Sequence, residues 1–318
     1  MNFGFVSSFD IRLPAGRQGF RIFHRFGMTL LELLNWSTHC LRDHQIENPR
    51  LNAELLLARS LNVNREGLYT HLQDTSGEEE KEKFGRLIRK RISGEPLQYL
   101  LGYQEFWSIH FKVDPRVLIP RPETELLVEQ SLSILSEACL KRTPYVLEIG
   151  TGSGAIAISL AKEVRDLFIV ATDVSGEALL LARENAKSAG VPHRIEFVKG
   201  DLFSPIRLMR EKEPFDLILS NPPYIHRSQI QNLAREIKDY EPLVALNGGE
   251  DGMEFYRSIV SQGPSYLRRG GWLLLEVGEG QGKRVSAMIE EEGSFGRPEG
   301  IRDLSGIERV VKARRKDD

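Results

Sequence analysis

A short segment in the second half of the chain combines an amide, two prolines and an aromatic ring. It consists of Asn221, Pro222, Pro223 and Tyr224 and directly follows the apolar run Phe215–Ser220. Because proline has a fixed φ and no N–H, this segment predicts a stiff, non-helical loop at the end of a buried strand. The side-chain carbonyl of Asn221 and the backbone carbonyl of Pro222 can then accept both hydrogens of one NH2 group. The ring of Tyr224 offers a flat face on which a planar amide or base can stack.

Two acceptors directed at one NH2 group suit methyl transfer to a planar amide or amine nitrogen. The lone pair of an amide nitrogen is delocalised, so the nitrogen attacks poorly unless acceptors hold its hydrogens, raise its electron density and aim it. No strong base is required, because the methylated nitrogen loses its proton readily. We therefore predict that Asn221, Pro222 and Tyr224 are catalytic and that Asn221–Tyr224 binds the acceptor. A rigid proline turn that only closes a strand is the alternative interpretation.

A glycine-rich turn after an earlier buried strand predicts a nucleotide-type pocket. The strand is Val146–Ile149, and the turn into the next helix is formed by Gly150, Thr151, Gly152, Ser153 and Gly154. Glycines permit unusual backbone angles and close approach of a ligand, and the start of the helix offers free N–H groups. The spacing Gly150-x-Gly152-x-x-Ala155 also matches a dinucleotide fingerprint, so a nicotinamide-dependent dehydrogenase remains an alternative at this point.

Acidic residues end the next two predicted strands. Asp173 lies 23 positions after Gly150, a spacing at which a carboxylate can hold both ribose hydroxyls of a nucleotide. Asp201 ends the third strand and is followed by Leu202. In a methyltransferase these two positions face adenine, with Asp201 accepting from the exocyclic amine and Leu202 covering one face of the ring. We expect Asp173, Asp201 and Leu202 to bind the cofactor.

Strand and helix signals alternate from Tyr145 onward, which is typical of a parallel sheet with helices on both faces. The strand-like runs are Tyr145–Ile149, Leu167–Thr172, Ile195–Val198, Phe215–Ser220 and Trp272–Val277. The helical segments are Ala155–Glu163, Glu177–Ala189 and Met253–Leu267. Glu308–Ala313 predicts a final edge strand, whereas the strand before it, within residues 293–303, cannot be placed from the pattern.

Residues 28–93 predict a small helical domain with several recognisable helix starts. The expected capping residues are, in chain order, Thr29 with Glu32, Asn48, Asn64, and Ser76 with Glu79. The second helix is expected to bury Leu51, Leu55 and Ala58, and Gly94–Pro96 ends the last helix. Residues 97–122 predict a linker with short extended pieces and a hairpin strand near Phe106–Val113. Thr124 is then expected to cap a further helix.

The composition favours an ordinary globular chain. The formal net charge is −2, which lacks the basic excess of proteins that neutralise phosphates. Residues 28–100 hold eleven acidic and ten basic side chains. Two distant cysteines and scattered histidines lead us to expect neither a disulfide framework nor a metal site. No apolar run approaches the roughly 18 residues that span a bilayer, and we expect a cytoplasmic monomer.

The first 27 residues contain four arginines and a single acid, with four glycines and one proline. We interpret them as a disordered leader, or as the product of a misassigned start for which Met28 is the true initiator. An organelle transit peptide is the alternative interpretation, because such peptides are rich in arginine and poor in acids.

Together, these motifs resemble those of class I S-adenosylmethionine-dependent methyltransferases. Gly150–Gly154 is similar to their motif I. Asn221–Tyr224 matches the Asn-Pro-Pro-Tyr signature of the branch that methylates nitrogen in adenine, in guanine of ribosomal RNA and in protein glutamine. Six further segments resemble the peptide chain release factor glutamine methyltransferases (the PrmC/HemK family). They are Gly94–Tyr99, Ile119–Glu125, Tyr240–Pro242, Gly248–Gly252, Leu273–Gly278 and Asp303–Arg309.

The resemblance covers about residues 28–315 and implies a fold class and a cofactor. The implied fold is α/β: a Rossmann-like, mostly parallel seven-stranded sheet with helices on both faces, preceded by a small all-α domain. The implied domains are a helical substrate-recognition domain (28–96), a linker with a hairpin (97–122) and a methyltransferase domain (123–318). The implied cofactor is S-adenosylmethionine, contacted by Gly150–Gly154, Asp173 and Leu202, with Asn221 between cofactor and acceptor.

The resemblance also implies a substrate, the glutamine of the Gly-Gly-Gln loop in class 1 release factors, which act in translation termination. No stable nucleic-acid partner is expected. One departure is Leu202, where some members carry an aromatic residue, so stacking on adenine is weaker here. An amino-methyltransferase acting on a base in RNA or DNA is the alternative, which the balanced charge does not favour. A non-catalytic protein that binds release factors or the ribosome should lack Asp173 or Asn221, and both are present.

Overall fold

The computed structural model describes residues 27–138, 143–208 and 213–317. It divides into two compact units, Met1–Leu101 and Gly102–Asp318. Apart from Gly27, the expected leader lies outside the described residues. In the ranges that are described, no helix is both long enough and apolar enough to cross a lipid bilayer.

The first unit is built from helices that share one apolar core. The helices are α1 Leu30–Asp43, α2 Pro49–Leu61, α3 Arg65–Thr70, α4 Glu78–Ile92 and α5 Leu97–Leu101. The core residues include Leu34, Leu56, Phe84 and Leu100. Because α5 places Leu100 and Leu101 in this core, residues 97–101 are helical and not the extended start of a linker, which corrects the expectation for that segment.

Two of the expected helix starts are confirmed. The hydroxyl of Thr29 accepts from the backbone N–H of Glu32 at 3.2 Å, and the carboxylate of Glu32 accepts from the backbone N–H of Thr29 at 2.9 Å. The side chain of Asn64 accepts from the N–H of Gly67 at 2.8 Å. Each of these bonds satisfies a backbone donor that has no partner inside the helix.

Of the other two expected caps, one is confirmed in position only and one is wrong. Asn48 is the N-cap of α2 with Pro49 in the first turn, as expected, but its backbone is left-handed (φ 49°, ψ 52°) and its side chain makes no capping hydrogen bond. The N-cap of α4 is Gly77, one residue later than expected, and its N–H donates to the carboxylate of Glu80 at 2.7 Å. The hydroxyl of Ser76 instead donates to the carbonyl of Met28 at 2.8 Å. The Ser76 side chain therefore makes a tertiary hydrogen bond in place of the helix cap that the local pattern predicts.

The buried face of α2 also differs from the expected one. Leu51 is 39% exposed, whereas Leu56 and Leu57 are fully buried and, of the expected residues, only Ala58 lies in the core. The run of three leucines at 55–57 offers two possible apolar faces. Periodicity alone does not choose between such faces, because both satisfy a helical repeat.

The second unit contains a hairpin and a larger sheet. The hairpin joins β1 Tyr103–Phe106 to β2 Ile109–Lys112 through Trp107 and Ser108. Both turn residues have positive φ angles, 52° and 56°, as in the type I′ turn, which matches the twist of paired strands. The other strands are β3 Tyr145–Ile149, β4 Phe168–Asp173, β5 Ile195–Lys199, β6 Phe215–Ser220, β7 Leu267–Glu276, β8 Glu299–Arg302 and β9 Glu308–Arg314. The helices are α6 Glu125–Ala138, α7 Ala155–Glu163, α8 Gly176–Ala189, α9 Ser204–Leu208, α10 Arg235–Lys238, α11 Glu254–Gln262 and α12 Gly282–Glu292.

The larger sheet has seven strands in the order β5-β4-β3-β6-β7-β9-β8. Strands β3 to β7 pair in parallel, and β9 pairs antiparallel to both β7 and β8. Two separate clusters of buried apolar side chains lie against this sheet, and both include side chains of helices. The predicted mostly parallel sheet is therefore confirmed. Its central pairing aligns Ile149 with both Thr172 and Ser220, so β3, β4 and β6 end at the same level.

Two expectations for the last third of the chain are wrong. The predicted helix Met253–Leu267 ends at Gln262, because Gly263 and Pro264 begin a short 3-10 turn, and Leu267 already belongs to β7. The predicted edge strand Glu308–Ala313 is β9, which lies inside the sheet, and the edge is β8. Strand β8 falls in the interval 293–303 that the pattern left open, and its short polar sequence carries no strand signal.

Thr124 does not start a helix as expected. It ends a 3-10 turn, Pro122–Thr124, that continues directly into α6, and it is 4% exposed. Its hydroxyl accepts from the side-chain amide of Asn221 at 3.2 Å. Thr124 therefore contributes to the environment of the loop that follows β6.

A buried carboxyl group in β3 makes stability depend on pH. Glu148 is 1% exposed, and burial raises its pKa from 4.5 to about 8. Between these two values the folded protein binds more protons than the unfolded chain, so the free energy of unfolding falls as pH rises through that window. The Glu148→Gln variant should therefore show a flatter pH dependence of its melting temperature between about pH 5 and about pH 8.5. Glu290→Gln, an exposed position on α12, is the control, and an unchanged slope in Glu148→Gln would contradict the assignment.

Candidate active site

A cleft opens at the carboxyl ends of β3, β4, β5 and β6. Small molecules bind at this edge of open α/β sheets. The predicted site residues that line the cleft are Gly150, Gly152, Asp173, Asp201, Leu202, Asn221, Pro222 and Pro223. The predicted residues outside its lining are Thr151, Ser153, Gly154 and Tyr224.

The glycines after β3 form a cradle along one wall of the cleft. Gly150 and Gly152 have φ angles of 75° and 55°, and a Cβ on either would meet no atom within 4 Å. Glycine is therefore required there by the backbone angle, and the space beside it is open to a ligand. Gly154 differs, because a Cβ on it would lie 2.9 Å from Ile158 and 3.2 Å from Ala182. Its role is to let α7 pack closely on α8.

Thr151 and Ser153 hold the turn from behind. The hydroxyl of Thr151 donates to the buried carboxyl group of Glu148 at 2.7 Å. The backbone carbonyl of Ser153 accepts from the side-chain amide of Asn185 at 2.9 Å. Both residues are buried, so the Thr151 side chain and the Ser153 backbone help to fix the shape of the cradle, and cofactor contact through these residues stays a prediction.

Asp173 connects two loops at the centre of the cleft. One of its oxygens accepts from the N–H of Gly152 at 2.8 Å, and the other accepts from the N–H of Ser175 at 2.8 Å. Burial raises the pKa of this carboxyl group, and the two N–H bonds oppose that shift. Each carboxylate oxygen can accept a second hydrogen bond. The group therefore fits ribose hydroxyls while it also holds the cradle in place.

Leu202 has an unusual backbone conformation beside the exposed residue Asp201. Its φ angle is 47°, in the left-handed region that branched and bulky residues rarely adopt. The N–H of Asp201 donates to the hydroxyl of Ser204 at 3.1 Å, and the carbonyl of Asp201 accepts from the N–H of Ser204 at 2.9 Å. Strained residues of this kind cluster at ligand-binding sites. Both residues line the cleft as predicted, and their contacts with adenine stay a prediction.

Three glycines make room for the Asn221–Tyr224 loop. A Cβ on Gly248 would lie 2.7 Å from Cα of Tyr224, one on Gly252 would lie 2.5 Å from its carbonyl oxygen, and one on Gly278 would lie 2.9 Å from its ring. The side-chain amide of Gln281 donates to the carbonyl of Tyr224 at 2.9 Å. Burial raises the pKa of the Tyr224 phenol to about 12, so the ring stays neutral. The loop is therefore held rigidly on the side away from the cleft.

Thr124 and Glu276 were not assigned to the site by the sequence analysis. The carboxyl group of Glu276 is 3% exposed, and burial raises its pKa to about 7, while the neighbouring side chains of Thr124 and Asn221 act as donors that oppose this shift. Glu276 is a lone acid that ends the apolar run Leu273–Leu275. That signal was available, because a charged residue at the ligand edge of a buried strand requires a partner or a function.

A partly buried ion pair lies beside the cleft lining. Arg121 and the carboxylate of Glu241 lie 2.5 Å apart, and the side chain of Glu241 is 1% exposed. The same carboxylate accepts from the N–H of Ile119 at 3.4 Å. This contact joins two segments that the resemblance had singled out, and it fixes Pro242, which lines the cleft.

We expect Asp173→Ala to weaken binding of S-adenosylmethionine about ten- to a thousandfold. Hydrogen bonds to a charged group contribute about 1.5–3 kcal/mol each, and the substitution also frees the N–H of Gly152. Isothermal titration calorimetry measures the affinity, and circular dichroism checks the fold. Glu177→Gln, an exposed acid at the start of α8, should bind as the wild type does. Unchanged affinity in a folded Asp173→Ala protein would remove Asp173 from the cofactor site.

Comparisons with known proteins cover both units. A family model described as PrmC N-terminal domain matches residues 32–102, and one described as Methyltransferase small domain matches residues 124–239. Among solved structures, the hMettl16 catalytic domain in complex with MAT2A 3'UTR hairpin 6 superposes with a TM-score of 0.51 at 16% identity, covering 73% of this chain and 82% of that one. That similarity concerns the fold alone.

Curated relatives are similar over almost their whole length. The release factor glutamine methyltransferase of Geobacter sulfurreducens is 41% identical over 289 residues, which is 90% of this chain and 96% of that protein. The enzyme of the same name from Koribacter versatilis is 39% identical over 288 residues, 91% of this chain and 99% of that protein. The expected fold class and the cofactor, S-adenosylmethionine, are thereby confirmed. The chain belongs to the release factor glutamine methyltransferase family and is an S-adenosylmethionine-dependent protein-glutamine N-methyltransferase.

Proposed function

We propose that this enzyme methylates the side-chain amide nitrogen of the glutamine in the Gly-Gly-Gln loop of class 1 release factors. The observation that carries the proposal is the position of Asn221, which lines the same cleft as the glycine cradle and Asp173. Relatives named for this activity match the chain over both units. Release factors act in translation, so we also propose a cytoplasmic site of action.

Asn221 and Pro222 hold the acceptor nitrogen in this proposal. The side-chain carbonyl of Asn221 and the backbone carbonyl of Pro222 accept the two amide hydrogens, which orients the nitrogen lone pair and raises its electron density. When bound, the cofactor supplies an electrophilic methyl group on a sulfonium. A nitrogen–carbon bond forms as the sulfur–carbon bond breaks, and the nitrogen then releases one proton to solvent. Tyr224 lies outside the cleft lining, so its proposed stacking contact concerns the acceptor alone.

Asn221→Ala should lower kcat about 100- to 1000-fold, by analogy with loss of one oxyanion-hole donor, and leave cofactor affinity nearly unchanged. Steady-state kinetics with purified release factor and calorimetry with S-adenosylmethionine separate the two effects. Asn232→Ala, an exposed asparagine in the 3-10 turn Arg227–Asn232, is the matched control. A turnover near that of the wild type in Asn221→Ala would refute this mechanism.

Specificity must come from outside the active-site loop, which contacts only a small planar amide. We propose that the helical unit recognises the release factor, because it has its own core and contains none of the proposed catalytic residues. Its nearly balanced charge suits a protein partner better than bare RNA. The two glycines of the target loop would let the glutamine enter a narrow cleft.

The full-length enzyme should add one methyl group to the glutamine of intact release factor, as mass spectrometry of the digested factor will show. A shortened chain that begins at Gly102, after the helical unit, should still bind S-adenosylmethionine and methylate intact factor poorly. Ribosomal RNA offered in the same assay is the control substrate. Methyl groups on RNA, or equal activity of the shortened chain on intact factor, would contradict the proposal.

A further inference from the structure

The carboxyl group of Glu276 is buried in the wall behind the acceptor loop. It stands at the end of β7, beside the end of β6, and is 3% exposed. Its Oε2 atom has no hydrogen-bond partner of normal geometry within the described part of the chain. An incompletely satisfied buried carboxyl group is costly, so its presence here requires a role.

The hydrogen bonds around Glu276 fix the orientation of the Asn221 amide. The Nδ2 atom of Asn221 donates to the hydroxyl oxygen of Thr124 at 3.2 Å, and both side chains lie close enough to the carboxyl group of Glu276 to favour its charged form as donors. An ionised carboxylate only accepts, so the single hydrogen of the Thr124 hydroxyl is directed to it. The oxygen of Thr124 is then left as an acceptor. Both neighbours therefore select the NH2 side of Asn221, and Oδ1 faces away from them.

We propose that Glu276 is a positioning residue which, together with Thr124, holds Asn221 with its Oδ1 atom directed at the acceptor nitrogen. This inference rests on the proposed function, in which Oδ1 accepts a hydrogen of the glutamine NH2 group. The reversed amide would present an NH2 group to another NH2 group, which excludes a hydrogen bond between them. The Glu276 carboxylate therefore favours methyl acceptors whose nitrogen carries a hydrogen that it can donate to Asn221.

The proposal implies that the orientation depends on the ionisation of Glu276. Burial raises the pKa of Glu276 to about 7. Below that pH the carboxyl group carries a proton and can donate, so the Thr124 hydroxyl and the Asn221 amide are no longer held in one orientation. Turnover should consequently fall as pH falls through about 7.

The charged and titratable groups around Glu276 come from four other elements. They are Glu123 in the 3-10 turn, Arg309 in β9, Tyr224 in the acceptor loop and Tyr256 in α11. Burial raises the pKa of both tyrosines, and a carboxylate neighbour, Asp303, raises that of Arg309 against the effect of burial. These three groups therefore keep one charge state near neutral pH, and Glu123 needs a separate control.

The first test compares kinetics of Glu276→Gln with those of the wild type from about pH 6 to about pH 9. We expect kcat at high pH to fall about 10- to 100-fold, the scale of a misplaced catalytic group, with little change in KM or cofactor affinity. The inflection near pH 7 should disappear. Glu123→Gln and Tyr256→Phe are the controls and should keep it, because the hydroxyl of Tyr256 bonds to the backbone carbonyl of Glu276, at 2.9 Å, and not to its carboxyl group.

Thr124 provides a second route if Glu276→Gln does not fold. Thr124→Ser keeps the hydroxyl and should retain both turnover and the inflection near pH 7. Thr124→Val has the same shape without the hydroxyl and should lose turnover as Glu276→Gln does. Equal rates in Thr124→Val and wild type would overturn the proposal.

A measurement without acceptor separates this inference from the proposed function. The side-chain amide resonance of Asn221, identified by its loss in Asn221→Asp, should titrate near pH 7 in the wild-type enzyme with bound S-adenosylmethionine. It should not titrate there in Glu276→Gln or, if that variant does not fold, in Thr124→Val. A wild-type Asn221 amide resonance that does not shift with pH, or a variant resonance that still shifts near pH 7, would refute the role of Glu276. Failure of the wild-type enzyme to methylate release factor would instead refute the proposed function.

Discussion

The parallel register at the centre of the sheet is the constraint on which the site depends. Ile149 pairs with Thr172 on one side and with Ser220 on the other. The three strands therefore end together, and the loops that follow them lie at one edge of the sheet. The glycine cradle, Asp173 and Asn221 come from three separate parts of the chain, and this register alone makes them neighbours. A slip of one residue would move every side chain of the shifted strand to the opposite face of the sheet.

Close packing behind the loops converts this placement into rigidity. Asp173 binds the N–H of Gly152 directly, while Gly248, Gly252 and Gly278 leave no room for a side chain beside Tyr224. The backbone of the acceptor loop is thus enclosed on its far side by backbone from two other segments. Rigidity of this kind is what catalysis by orientation requires, because a poorly aimed amide nitrogen gains little from proximity alone.

Much of the fold could be predicted because its signals are local. Apolar runs that end at Gly150 or Asn221 predict strands, and Thr29 with Glu32 predicts a helix start. The misses arise where a distant residue takes part. Ser76 bonds to Met28, 48 positions away, and Thr124 bonds to Asn221, 97 positions away. No local pattern contains such partners. Gly263-Pro264 and Glu276 are different, because their signals are visible in the sequence and were not used.

The partly buried ion pair Arg121–Glu241 should help the cleft to keep its shape as the salt concentration rises. Dissolved ions weaken attraction between exposed charges beyond a Debye length of about 8 Å at physiological ionic strength, but they screen buried pairs much less. The side chain of Glu241 is 1% exposed and that of Arg121 is 33% exposed, so counterions reach this pair less than they reach a fully exposed pair. The wall that contains Pro242 is therefore tied by a contact that salt weakens less than it weakens surface ion pairs. A rise in salt concentration would loosen exposed ion pairs such as Arg86–Glu82 more than it loosens this wall.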